Sequence, residues 1–210
     1  MGKNGRHVAI AVLLVTAASA ALSAAGELRI TSPNFEQNAV IPSQFTCDGP
    51  GINPALRFGG VPAAAKSLVL IVYDPDVPKA IKSDGRYLHW ALWDLSPDTP
   101  GIVEGHRARG LNENGPGGYI PPCPPNGEHR YVFQLYALDT LLGDTRIARE
   151  ADLRRAMEGH VLDQNELVGR YTTRMFRIVR FGLAVVALLV VFFLVRRVIA
   201  RRRAQDMSNS

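Results

Sequence analysis

The sequence predicts a mostly β protein: an antiparallel β-domain with one or two peripheral helices, carried on a single C-terminal transmembrane helix. Three observations point there. Ser67–Tyr73 (SLVLIVY) is a continuous apolar run of strand length, rich in β-branched residues, as a buried central strand requires. His129–Leu138 alternates, placing His129, Tyr131, Phe133 and Leu135 on one face and Arg130, Val132, Gln134 and Tyr136 on the other. Finally, Phe181–Val195 (FGLAVVALLVVFFLV) is uncharged and apolar all round, without the polar stripe of a surface helix.

Taken in order, the chain opens with a signal-peptide layout over residues 1–25. Lys3, Arg6 and His7 precede an apolar run, Val8–Val15, and small residues lead to cleavage points after Ala20 or Ala25. An uncleaved anchor is the other reading of this segment. Leu28–Thr31 is a short strand, followed by turns with brief extended pieces. After Ser67–Tyr73, Asp74-Pro75-Asp76-Val77-Pro78 ends the strand, because two prolines cannot continue a sheet interior. Tyr87–Leu95 returns as a strand with Tyr87, His89, Ala91, Trp93 and Leu95 expected on one face. Ser96–Gly101 is a turn, and Gly105–Gly117 a Gly/Asn-rich loop. Pro121, Pro122, Pro124 and Pro125 then stiffen the approach to His129. Arg149–Gly159 places Leu153, Ala156 and Met157 at helical spacing, with Gly159 as its stop. No internal repeat is visible.

Of 210 residues, 26–171 form one domain large enough to bury a core. Its charge differs from that of its flanks. Gly26–Arg170 holds 14 Lys/Arg against 18 Asp/Glu, whereas the segment after Arg170 holds eight Arg against Asp206. The net charge of +5 therefore belongs to the ends, and nucleic acid does not explain it. Residues 172–180 read as a juxtamembrane linker, 181–200 as the transmembrane helix and 201–210 as a basic tail. Arg177, Arg180, Arg196 and Arg197 can snorkel to the two interfaces. Arg lies on both sides of the span, so the signal peptide sets orientation: a single-pass cell-membrane protein, domain outside the cytoplasm, tail inside. Cys47 and Cys123 fall in the exported part and predict a disulfide. Two neighbouring buried thiols are the alternative.

The stretch Gly118–Asp139, GYIPPCPPNGEHRYVFQLYALD, resembles the second signature of the phosphatidylethanolamine-binding protein family, in its bacterial Raf-kinase-inhibitor-like branch. YDPDVP (Tyr73–Pro78) with LHWALWDL (Leu88–Leu95) is similar to the first signature, and FTCDGPGINPAL (Phe45–Leu56) to the opening of bacterial members. The resemblance spans roughly Leu28–Tyr171 and implies a β-sandwich core. It also implies a small anion-binding pocket formed by Asp74, His89 and His129, with Pro122 and Tyr131 as wall and ring, and Asp76 bracing the loop. Two imidazoles and a carboxylate suit a phosphate that bears an amine, such as a phospholipid headgroup. Asp74 and Asp76 can alternatively cap their turn. Ile120 and Pro121 stand where this branch usually has glycines, narrowing the mouth or making its rim more apolar.

No HExxH, Cys/His cluster, GxSxG elbow or phosphate-binding P-loop is present. Cys123 as a nucleophile would be silenced by a disulfide. The expected protein is therefore a binding module and not an enzyme, with no cofactor and no metal. Its expected partners are a small anionic or phosphate-containing ligand and the membrane. The alternative is a protein-docking or signalling module with a vestigial pocket.

Overall fold

In the computed structural model, residues 27–106, 108, 110–143 and 146–208 are described; the expected signal peptide lies outside them. The strands are β1 (Arg29–Thr31), β2 (Leu56–Gly59), β3 (Ser67–Asp74), β4 (Tyr87–Leu95), β5 (Gly101–Ile102), β6 (Gly110–Asn112), β7 (Gly115–Gly117), β8 (His129–Leu138) and β9 (Val161–Tyr171). The helices are α1 (Glu150–Met157) and α2 (Arg174–Ser208). The strands form a three-stranded sheet, β1-β2-β5, and a six-stranded sheet, β7-β6-β4-β3-β8-β9, with antiparallel pairing throughout.

β3 is apolar at every turn of its pleat because both of its faces are covered. Leu68, Leu70 and Val72 pack with Phe133 and Leu135 against Ile30, Leu56 and Ile102 of the smaller sheet. Val69 and Ile71 face the opposite way, with Tyr136 and Leu138, beneath Leu153 and Met157 of α1. Each fully buried side chain of this kind contributes about 1.5–3 kcal/mol. The close approach of β5 to β2 requires glycine at Gly101. It sits at φ +150, and a Cβ there would collide with the Leu56 carbonyl oxygen.

Three features differ from the expectation. β9 was not anticipated, because its first half (VLDQNE) is polar and mostly exposed; only Leu167, Val168, Gly169 and Tyr171 are buried. The Gly105–Gly117 loop contains the short β6–β7 hairpin. The third difference is in β4. Ala91 and Trp93 share the face toward α1, but His89 does not join them, since Val72 pairs with Trp90 while Tyr73 pairs with Leu88, leaving His89 as an extra residue. Trp90 lies in the inter-sheet core and Ala91 in the core beneath α1.

α2 departs from the domain. Its Arg174–Arg197 stretch is long and apolar enough to cross a membrane, with none of it buried in the fold. Residues 174–180 form its first turns. Asp48 accepts the Arg174 N–H at 2.6 Å and the Tyr171 hydroxyl, joining the helix start to the loop beside Cys47.

Candidate functional site

β3 and β8 lie side by side, so Asp74 at the end of one meets His129 at the start of the other. Asp74 Oδ2 is 2.7 Å from His129 Nδ1, and its Oδ1 accepts the Asp76 N–H at 2.7 Å. A carboxylate oxygen can only accept, so His129 Nδ1 carries a proton and the ring is held in one orientation. Its other nitrogen, Nε2, lies 3.1 Å from Asn126 Oδ1. Asp76 faces away and clamps Arg130. Its Oδ2 accepts the backbone N–H and Nε–H at 2.9 Å each, and its Oδ1 accepts Nη2–H at 2.7 Å. These bonds from Arg130 hold the Asp76 carboxyl below its ordinary range.

The bulge in β4 turns His89 toward the same cluster. Its Nδ1 donates to the Ile120 carbonyl at 2.8 Å, and Ile120 N–H donates back to the His89 carbonyl at 2.9 Å. Burial pushes the His89 pKa below its usual value, against the opposing pull of the Ile120 bond and the Asp74 and Glu113 charges. The neutral ring thus keeps its proton on Nδ1 and a lone pair on Nε2. Tyr131 stands edge-on to it, ring centroids 5.1 Å apart at 78°, and Tyr87 packs on it at 5.1 Å. The Tyr131 hydroxyl is buried and makes no hydrogen bond of good geometry within the protein, although Asp74 is near enough to act on it. Burial first, and the Asp74 charge second, raise the phenol's pKa.

The Pro-rich loop forms the lid of this cluster. Cys123 is bonded to Cys47, with Cα atoms 5.3 Å apart, so the pair is a bridge and not two thiols. Pro122 is buried, and its carbonyl accepts the Cys47 N–H at 3.0 Å. The Pro121 ring rests against Gly51, where a Cβ would lie 3.0 Å from the ring.

Residues 31–172 match the family model for phosphatidylethanolamine-binding protein. The chain belongs to the phosphatidylethanolamine-binding protein family. Among its relatives is a UPF0098 protein of Chlamydia trachomatis, 45% identical over 147 residues, which cover 69% of this chain and 98% of the relative. A UPF0098 protein of Methanothermobacter thermautotrophicus is 43% identical over 146 residues, covering 65% and 93%. The crystal structure of a phosphatidylethanolamine-binding protein homolog from Chlamydia trachomatis superposes with a TM-score of 0.67 at 44% identity, over 70% of this chain and 99% of that one. An Escherichia coli member, YbcL, shares the fold at a TM-score of 0.62 and 22% identity, over 71% and 100%.

In this member of the phosphatidylethanolamine-binding protein family, the fold brings together Asp74, His89, His129 and Tyr131. It leaves Asp76 outside on Arg130, and Pro122 in the lid. The four central residues are between 0% and 5% exposed, so the cluster is closed. Two concavities lie elsewhere. A cleft of about 430 Å³ is bordered by Lys82, Arg86, Glu113, Glu150 and Arg154, and a smaller one of about 260 Å³ by Asn53, His106 and Tyr119. Arg86 and Arg154 both reach Glu150 Oε1, at 2.6 and 2.7 Å, and Lys82 reaches Glu113 at 3.0 Å. Among the described residues, no three His, Cys, Asp or Glu side chains are arranged to hold a metal ion. Sequence reasoning missed Asn126 and the backbone of Ile120. Asn126, three residues before His129, carries a signal only in retrospect. Ile120 contributes main-chain atoms, which no side-chain pattern reveals.

Proposed function

We propose that this protein is a membrane-anchored, extracytoplasmic member of the family that binds a small anionic or phospho-headgroup ligand without chemistry. The Tyr131 hydroxyl carries the reading: a buried phenol without a well-placed partner, between two imidazoles, is a donor prepared for an acceptor that arrives with a ligand. A phosphate would take that donor and displace Asn126 Oδ1 from His129 Nε2. Asp74 would keep the His129 ring oriented, and His89 would add a charge-assisted bond once protonated. The apolar helix after Tyr171 supports tethering, and the expected signal peptide supports export. The tether would keep the site near the headgroups it is suited to bind.

Closure of the cluster supports a second reading, in which the pocket stays shut and the domain docks a protein. Titration of inorganic phosphate and phosphoethanolamine into the full chain in micelles, followed by imidazole NMR signals, separates the two. Saturable shifts are expected, weakened roughly tenfold or more in Tyr131→Phe as a hydrogen bond to a charged group is lost. The urea midpoint of that variant reads out separately whatever the hydroxyl contributes to the fold through Asp74. Absence of shifts, or equal affinity in Tyr131→Phe, contradicts the anion site.

A further inference from the structure

Asn126 is followed by Gly127 in an exposed bend of the lid. An Asn–Gly pair is the sequence most prone to cyclise, because glycine has no side chain to hinder its nitrogen as it approaches the preceding amide carbon. Gly127 is further suited by its surroundings: φ is +55, and nothing lies within 4 Å of where a Cβ would be. What distinguishes this pair is the neighbour of its amide oxygen. Asn126 Oδ1 sits 3.1 Å from His129 Nε2, while His129 Nδ1 is held 2.7 Å from Asp74. A ring oriented by a carboxylate, with its second nitrogen facing a carbonyl oxygen, is placed, whenever that nitrogen carries a proton, to stabilise negative charge developing on the oxygen.

We propose that Asn126 is a self-modification site, at which His129 promotes cyclisation onto Gly127 and the carboxylate that results closes the neighbouring anion site. The Gly127 nitrogen forms a bond to Asn126 Cγ, and His129 Nε2–H stabilises the oxyanion on Oδ1. The Cγ–Nδ2 bond then breaks. Ammonia departs with the proton that the Gly127 nitrogen gave up through solvent, leaving a five-membered imide. Water opens the ring. Attack at the side-chain carbonyl yields an ordinary aspartyl residue, and attack at the backbone carbonyl yields an isoaspartyl linkage. Either product sets a negative charge beside Nε2, where a neutral amide stood. His129 already faces Asp74 on its other nitrogen and has Asp76 and His89 as charged or titratable neighbours. A further carboxylate occupies the ring nitrogen and repels an incoming anion. This consequence rests on the anion-binding reading above; the conversion itself does not.

Asn114–Gly115 is an internal comparison, also exposed at Asn114 and open at Gly115, with no imidazole among the hydrogen bonds of Asn114. Full-length protein, folded in micelles or unfolded in guanidinium, is incubated at neutral pH, and peptide mapping follows conversion at both sites. In the unfolded chain the two sites should convert at similar rates. Folding should accelerate conversion at Asn126 and slow it at Asn114, which is tied into the β6–β7 hairpin. An Asn126 rate that is equal or lower in the folded protein overturns the proposal. Asn126→Asp should weaken inorganic phosphate binding roughly tenfold or more, given a unit charge at this distance. Unchanged affinity overturns the closing role. Failure of wild type to bind phosphate at all would instead remove the anion reading, with the folded-against-unfolded rates still deciding the conversion.

Discussion

His89 reaches the cluster because β4 holds one residue more than β3 opposite it, between Leu88 and Trp90. Burial disfavours its imidazolium, so the folded protein binds this proton less readily than the unfolded chain. Stability from neutral His89 is therefore fully present above about pH 6.5 and is lost as pH falls from there through the depressed folded-state value. Urea midpoints should drop between about pH 7 and pH 5, above the range of ordinary carboxylates, and His89→Gln should flatten that slope. A slope unchanged in the variant would assign it to other groups. Anion binding runs the opposite way. Sulfate, whose own charge is constant in this range, should bind more tightly with acid, by up to about tenfold per pH unit. The identities of Asp74, His89 and His129 were legible from their motifs. The orientation of His89 was not, because a strict two-residue period has no place for a bulge.

At the scale of elements, β3 and β8 were legible because each carries a pattern that only its environment explains: apolar on both faces for β3, alternating for β8. β9 was not, because an edge strand gains its main-chain partners from β8 and leaves much of its surface to water. The lid is an element of another kind, built from prolines and one covalent bridge. Cys47 and Cys123 lie 76 residues apart in sequence, so the bridge removes a large closed loop's entropy from the unfolded chain. Cys47→Ser with Cys123→Ser should lower stability by about 2–4 kcal/mol, read from urea unfolding. The same variant should speed hydrogen exchange at the Ile120 N–H, which pairs with the His89 carbonyl. Loss of stability without faster exchange there would mean that the bridge acts on the unfolded chain alone.

Across the whole molecule, an acidic domain of net −4 precedes a helix and tail that carry eight Arg and one Asp. A helix with large apolar residues such as Phe181, Leu188 and Phe193 mostly exposed has no cover within the domain, and a lipid bilayer would supply one. The full chain should remain in the membrane fraction through an alkaline carbonate wash, and a chain ending at Tyr171 should be released. Release of the full chain would remove the tether from this account. Export is checked separately: protease added to cells whose cytoplasmic membrane is sealed, with any outer envelope layer permeabilised, should cut the domain and spare the tail beyond Arg201.

The most direct test of the account is a crystal structure of the protein with phosphoethanolamine. The phosphate is expected within hydrogen-bonding distance of Tyr131 Oη and His129 Nε2, with the Asn126 side chain turned away. Phosphate seated instead between Lys82 and Arg154, with Asn126 still on His129, would contradict it.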